Sequence, residues 1–283
     1  MAAVAQKRAP AVFVSHGGGP FAVLEFPHHK EMVKLCEDSR WVFDGVKGVI
    51  VFTAHWETDT PHISHGPNPG LWHDYVDDPL AKQLPEDAWN ITYPAKGDVQ
   101  LAEAVKAKFD EHRLNPVLDD TRGWDHGVWV PMKLLRPQAD LPLVQVSIPN
   151  GRDAGTEAAF KWGAALESLR DQGYAILGSG SSYHNFGAVI QGVIGQESAP
   201  KIPSNRGFEE AMKLAATTED PAGKWANMAN WRRDFPGSDA VQPLGKSEHF
   251  LPFIICLGAG GSDAGRLLGE WTLFSTIMSF WLW

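Results

Sequence analysis

The chain has 283 residues, 43% hydrophobic and 21% charged, the balance of a folded globular protein, which excludes wholesale disorder. Its 25 Lys and Arg against 34 Asp and Glu leave a formal charge of −9 with no basic cluster, so no nucleic-acid or membrane partner is expected. Two cysteines, Cys36 and Cys256, cannot build a disulfide framework and suit a reducing compartment.

The opening stretch MAAVAQKRAP has no apolar signal-peptide core, which points to a cytoplasmic protein. The first β-branched run, Ala11–Ser15 (AVFVS), reads as a buried strand. A crossover between Ala22 and Cys36 has a weak helical pattern, interrupted by Pro27. Gly48–Thr53 (GVIVFT) is the next strand, and residues 57–97, rich in Pro, Gly, Asp and Trp, read as a long loop. Asp98 is placed to cap a helix through Leu101, Val105 and Phe109 to about Arg113. Residues 113–141 read as a second long loop, followed by the strand Leu143–Ile148. A helix over Thr156–Gln172 is stopped by Gly173, and the strand Tyr174–Leu177 follows it. A further helix is expected over Phe208–Ala216, then a strand at Phe253–Leu257 (FIICL). The tail from Trp271 to Trp283 alternates like a final strand and, at thirteen residues, is too short to span a bilayer.

Near-continuous apolar strands alternating with helices predict one α/β domain over residues 1–283. Its sheet is expected to be mostly parallel or mixed, flanked by helices, with ligands at the carboxyl ends of strands.

The eleven histidines matter through their positions. His16 follows AVFVS and opens the turn His-Gly-Gly-Gly-Pro; His55 follows GVIVFTA; His184 follows YAILGSGSSY. These lie at the carboxyl ends of separate strands. His249 precedes FIICL, and His126 sits in Arg122-Gly-Trp-Asp-His-Gly. A single histidine at a strand end is ordinarily a hydrogen-bonded structural residue. Three at separate strand ends suit a divalent metal, yet none has zinc-finger or His-Glu-x-x-His spacing, so any such site is assembled by the fold. Spacing leaves the structural and metal-binding readings open.

Other signals are weaker. Gly17, Gly18 and Gly19 match no phosphate-binding motif, and Ser179 lacks the Gly-x-Ser-x-Gly frame of a nucleophile elbow. Trp124, beside His126, is the tryptophan expected near a substrate ring. His73 lies in the first long loop, and surface residence is its default, as for His28, His29, His62, His65 and His112. Lys201 and Arg206 would be cations for a substrate carboxylate, although solvated side chains are the ordinary reading. Nothing encodes an oligomeric state.

Six stretches, taken together and in order, resemble the class III extradiol ring-cleaving dioxygenases, in the 4,5-DOPA extradiol dioxygenase branch. They are Phe13-Val-Ser-His-Gly-Gly-Gly-Pro, Phe52-Thr-Ala-His-Trp-Glu, Tyr93-Pro-Ala-Lys-Gly-Asp, Arg122-Gly-Trp-Asp-His-Gly-Val-Trp-Val-Pro, Gly178-Ser-Gly-Ser-Ser-Tyr-His-Asn and Glu248-His-Phe-Leu-Pro. The resemblance implies non-haem Fe(II) held by His16, His55 and His249, with Glu248 the neighbouring alternative to His249 and Zn(II) also found in such sites. It implies that His184 is the acid/base histidine and that His126 contacts the substrate. Ser181 stands where the family often has asparagine. The implied reaction is cleavage of a small aromatic diol by O2 to a muconic semialdehyde.

A zinc-dependent hydrolase with the same three histidines is the competing class, since an activated water needs the same ligands. A non-catalytic metal-binding relative would have no use for His126 and His184. Residues 57–97 and 185–205 would set which ring substituent is accepted, and they carry no readable code.

Overall fold

The structure is a computed structural model and describes residues 8–77, 84–185, 187 and 204–283. Its strands are β1 (Ala11–Ser15), β2 (Gly48–Thr58), β3 (His62–Ser64), β4 (Val117–Asp119), β5 (Leu143–Pro149), β6 (Tyr174–Gly180), β7 (Arg266–Leu273) and β8 (Thr276–Leu282). They form one mixed sheet in the order β4-β3-β5-β2-β6-β1-β8-β7. The four central strands, β5, β2, β6 and β1, are mutually parallel. β3 joins β5, and β8 joins β1, in the antiparallel sense. The expected α/β architecture with a mixed sheet is the one observed.

The helices are α1 (Lys30–Asp38), α2 (Val99–Glu111), α3 (His126–Leu135), α4 (Thr156–Asp171), α5 (Arg206–Thr217), α6 (Pro221–Met228), α7 (Trp231–Asp234), α8 (Ser238–Val241) and α9 (Leu251–Ala259). Asp98 caps α2 as expected, its carboxylate accepting the Leu101 N–H at 2.9 Å. Gly173 follows α4 at φ 95°, a conformation that suits glycine. In the first crossover a 3₁₀ turn at Pro27–His29 leads into α1, so the proline starts the helical stretch instead of breaking it.

Three expectations are corrected. FIICL is the body of α9, not a strand; every residue of α9 is buried, so its apolar run has no polar face to reveal a helical period. The tail is a hairpin of β7 and β8 instead of one strand. Residues 57–97 and 113–141 are not all loop: the first contains the end of β2 and β3, the second β4 and α3.

Alternation along β6 sorts the two faces of the sheet. Gly178 and Gly180 face α9: a Cβ on Gly178 would lie 2.6 Å from Cys256 Sγ, and one on Gly180 would collide with the His249 carbonyl. Ser179 points the other way, where its hydroxyl donates to the Gly127 carbonyl of α3. The sheet is thereby covered on both sides, which is why its central strands are apolar on both faces. At the opposite end of the sheet the buried Arg170 guanidinium donates to the carbonyls of Ala9, Ala259 and Trp283, each at 2.8 Å, and ties the two termini of the fold to α4 and α9.

Candidate active site

Because β1, β2 and β6 run parallel, their carboxyl ends open on one edge of the sheet. His16 is the residue after β1; its ring is buried and its Nδ1 lies 2.9 Å from Ser179 Oγ on β6. His55 lies in the last third of β2, where the register with β5 slips between Phe52 and Glu57. Such an irregularity re-aims a side chain. The two Nε2 atoms of His16 and His55 are 3.1 Å apart.

His249 arrives from a different direction, in the turn ahead of α9. The absent Cβ of Gly180 lets its backbone abut β6, where its carbonyl accepts the Ser181 N–H at 2.8 Å. Its ring centroid is 5.0 Å from those of both His16 and His55. One nitrogen from each of the three rings lies within 4.8 Å of the others. Glu248 is not in that group; its Oε1 sits 3.2 Å from His249 Nδ1 and 3.4 Å from His184 Nδ1.

The two remaining histidines close on the same point. His184, four residues past β6, stacks on His249 with ring centroids 3.5 Å apart. His126 is the first residue of α3, and its ring is 4.0 Å from His55. All five rings, with Gly17, Phe21 and Tyr75, line a cleft of about 490 Å³. Of the three histidines expected at strand ends, His16 directly follows β1, His55 lies inside β2 and His184 comes four residues after β6, yet the fold brings all five together.

The other sequence candidates fall away from the cleft. Trp124 is wholly buried and does not line it. His73 packs against Tyr75, Trp89 and Trp129. Arg206 is paired with Glu270 at 2.7 Å. Lys201 and most of residues 185–205 lie outside the described residues.

Burial governs the charges. It pushes the pKa of His16, His55 and His249 well below the ordinary histidine value, and neighbouring imidazoles, His126 and His184 among them, lower each of the three further. Burial takes His184 down to about 4. These imidazoles are neutral near pH 7, with lone pairs available.

Sequence reasoning missed the groups behind the rings. Burial raises Asp74, but hydrogen bonds and charge from His126 outweigh it and hold the carboxyl at about 2. Asp74 accepts the His126 N–H at 3.0 Å and faces His126 Nδ1 at 2.9 Å. Asp125, fully buried, accepts from Thr53, Gln145 and Arg122 at 2.7, 2.6 and 2.8 Å. The Arg122 guanidinium lies over the rings of Trp56 and Trp72. Asp74 and Arg122 stand in loop stretches with no periodicity; the aromatic clustering of Leu71-Trp-His-Asp-Tyr was the available signal.

Residues 10–280 match the family described as the catalytic LigB subunit of aromatic ring-opening dioxygenase. The chain belongs to the LigB family. It is 35% identical over 271 residues to the dioxygenase tasH of Hapsidospora irregularis, covering 90% of this chain and 79% of that one. It is 31% identical to a 4,5-DOPA dioxygenase extradiol of Portulaca grandiflora, over 77% and 74% of the two chains. A protein of that name from Escherichia coli K12 is 29% identical, over 89% and 85%. The fold matches the crystal structure of an uncharacterised Escherichia coli K12 protein with a TM-score of 0.71 at 24% identity, covering 97% and 99% of the chains. This LigB-family chain is thus an enzyme, a ring-opening dioxygenase.

Enzymes of the LigB family are metal-dependent, and the histidine cluster fits a metal. Metal–imidazole bonds of about 2.0–2.1 Å place adjacent donor nitrogens roughly 3 Å apart. The 3.1 Å between His16 and His55 matches that spacing. Each Nδ1 has its own oxygen partner: Ser179 for His16, Asp74 at 3.4 Å for His55 and Glu248 for His249. Outer partners of this kind set ring orientation in metal sites. Among the described residues no helix is long and apolar enough to cross a membrane.

Proposed function

We propose that this LigB-family enzyme is an extradiol dioxygenase, a single catalytic domain that opens a small catechol-type ring with O2 to a muconic semialdehyde. His16, His55 and His249 would hold a non-haem Fe(II). The observation that carries the reading is the convergence on one cleft of five histidines, His16, His126 and His249 buried and His55 and His184 partly so, two beyond the three needed for a metal. Fe(II) held there would act as a Lewis acid that binds the catechol and O2 and makes the hydroxyls more acidic.

The protein groups then have separable tasks. His184, neutral because burial holds it at about 4, takes a hydroxyl proton and later returns it. Glu248, 3.4 Å from its Nδ1, orients the ring. His126 hydrogen-bonds an oxygen that carries negative charge, and the ionised Asp74 behind it fixes the ring's direction. Phe21, Pro20 and Leu84 give the aromatic ring an apolar wall.

The test is oxygen uptake by anaerobically Fe(II)-loaded protein with a panel of catechols that includes L-DOPA and protocatechuate. One O2 per substrate with a new yellow absorbance is expected. His184→Ala should retain the metal and lose about 10²–10⁴-fold in turnover. No uptake with any catechol would move the assignment to the zinc-dependent hydrolase, which works without oxygen. Zn(II) in the isolated protein would not decide between them.

A further inference from the structure

Glu209 is a carboxylic acid in an unusual place. It lies on α5, 3% exposed, outside the cleft. Ser182 Oγ donates to its Oε1 at 2.7 Å, Asn205 Nδ2 to the same oxygen at 3.3 Å, and Ser279 Oγ to Oε2 at 2.6 Å. These are two hydroxyls and an amide, and among the described residues no basic side chain touches it. Burying a carboxyl without a cation is costly, so its hydrogen bonds have to be complete.

One of those donors leads to the cleft. Ser182 stands two residues before His184 in a segment with no helix or strand of its own. Polar contacts fix that segment: Gln242 Nε2 donates to the carbonyls of Ser181 and Ser182, both at 3.0 Å, Ser181 Oγ to the Tyr183 carbonyl at 2.7 Å and Asn185 Nδ2 to the Ala240 carbonyl at 2.9 Å. The His184 N–H donates to Val241 O at 2.9 Å, and the Ser181 N–H donates to the His249 carbonyl. Movement at Ser182 therefore reaches both rings of the His184–His249 stack.

We propose that Glu209 is a positioning residue for His184, its carboxylate acting through Ser182 to hold the segment that carries the acid/base ring. The inference rests on the reading of His184 as that group. As a carboxylate, Glu209 accepts from all of its donors at once. Once protonated, it must donate to a hydroxyl that now donates to it. Ser182 Oγ already accepts the Ser279 N–H at 3.2 Å, and Ser279 Oγ accepts Trp281 Nε1 at 2.9 Å. The hydroxyl that turns loses its acceptor.

Burial pushes Glu209 up to about 7, against the pull of its serine donors, so the turn occurs near neutrality. The charges near it are Glu270 on β7, which raises it, and Arg206 on its own helix, which lowers it; the two are paired with each other. Glu209 itself lines a surface depression together with Arg206, Glu210 and Lys213 of α5 and Glu270 of β7.

The experiment is NMR of the His184 ring in metal-free protein between pH 5.5 and 8.5, in the wild type, Glu209→Gln and Ser182→Ala. The wild type should show a step in the His184 ring resonance near pH 7. Glu209→Gln should abolish it. Ser182→Ala should keep the Glu209 carboxyl titration and lose its echo at His184. A wild-type ring that is flat near pH 7, or a step that survives in either variant, overturns the proposal; survival in Ser182→Ala would mean a field effect through space. Should Glu209→Gln fail to fold, the Ser182→Ala arm decides alone. In iron-loaded Ser182→Ala, kcat should fall about tenfold or more with KM nearly unchanged, the mark of a displaced group. If no catechol is cleaved at all, the proposed reaction fails while the NMR step still decides the positioning.

Discussion

The rings of His184 and His249 lie nearly parallel, 16° between planes, with centroids 3.5 Å apart. Burial disfavours a proton on either ring, and His184 lowers His249 further. The folded state holds His184 at about 4 against 6.5 for an ordinary histidine, so between these values the unfolded chain binds more protons. Stability from this ring is complete above pH 6.5 and is lost as pH falls toward 4, by on the order of 3 kcal/mol. Glu209, raised by burial, works in the opposite direction, so the comparison has to be a difference between two proteins sharing Glu209. Urea unfolding of metal-free wild type and His184→Gln at pH 7.5 and pH 4.5 isolates the ring. The wild type should lose stability relative to the variant on acidification; parallel losses would contradict the depressed value.

Asp74 is the ionised group behind two of the rings, 2.9 Å from His126 Nδ1 and 3.4 Å from His55 Nδ1. Asp74→Asn keeps the shape but removes the charge and turns one oxygen into a donor. One imidazole N–H then loses its acceptor. Metal affinity or turnover should fall about 10–100-fold, the usual effect of such outer partners. Stability should fall by about 1–3 kcal/mol. Zn(II) titration by calorimetry and oxygen uptake measure the two effects separately. Unchanged metal binding and turnover would leave Asp74 a surface-loop anchor and nothing more.

Much of this was legible in the sequence where burial is lopsided or complete over a short run. β1, β2, β5 and β6 were readable because short, near-continuous apolar runs rich in Val and Ile suit a doubly covered sheet. α9 was not, since an all-apolar run has no period; Pro252 at its first turn was the available cue. α3 was hidden by Gly127 and Pro131. The five histidines could be named from their motifs, but spacing says nothing about Asp74, which reaches His126 from 52 residues away. Glu209 was invisible for the opposite reason. A glutamate inside an amphipathic helix reads as solvent-facing, and only the packing of β8 against α5 shows it buried.

Arg122 joins the three stretches that carry His55, Asp74 and His126. Its guanidinium carbon is 4.7 Å from the Trp56 ring and 4.2 Å from the Trp72 ring. Its Nη2 donates to the His55 carbonyl at 3.1 Å and to Asp125 at 2.8 Å. Asp125 is wholly buried, and burial raises its pKa, with Arg122 pulling it back down. Arg122→Met keeps apolar packing on the tryptophans but leaves that carboxylate without its cation. Removing one partner of a buried pair costs about 3–5 kcal/mol. The double variant Arg122→Met with Asp125→Asn should recover part of the loss, because a neutral amide no longer needs a counter-charge. Chemical denaturation of both variants, with Zn(II) affinity measured alongside, tests this. Equal losses in the single and double variants would show that Arg122 acts through the tryptophans alone.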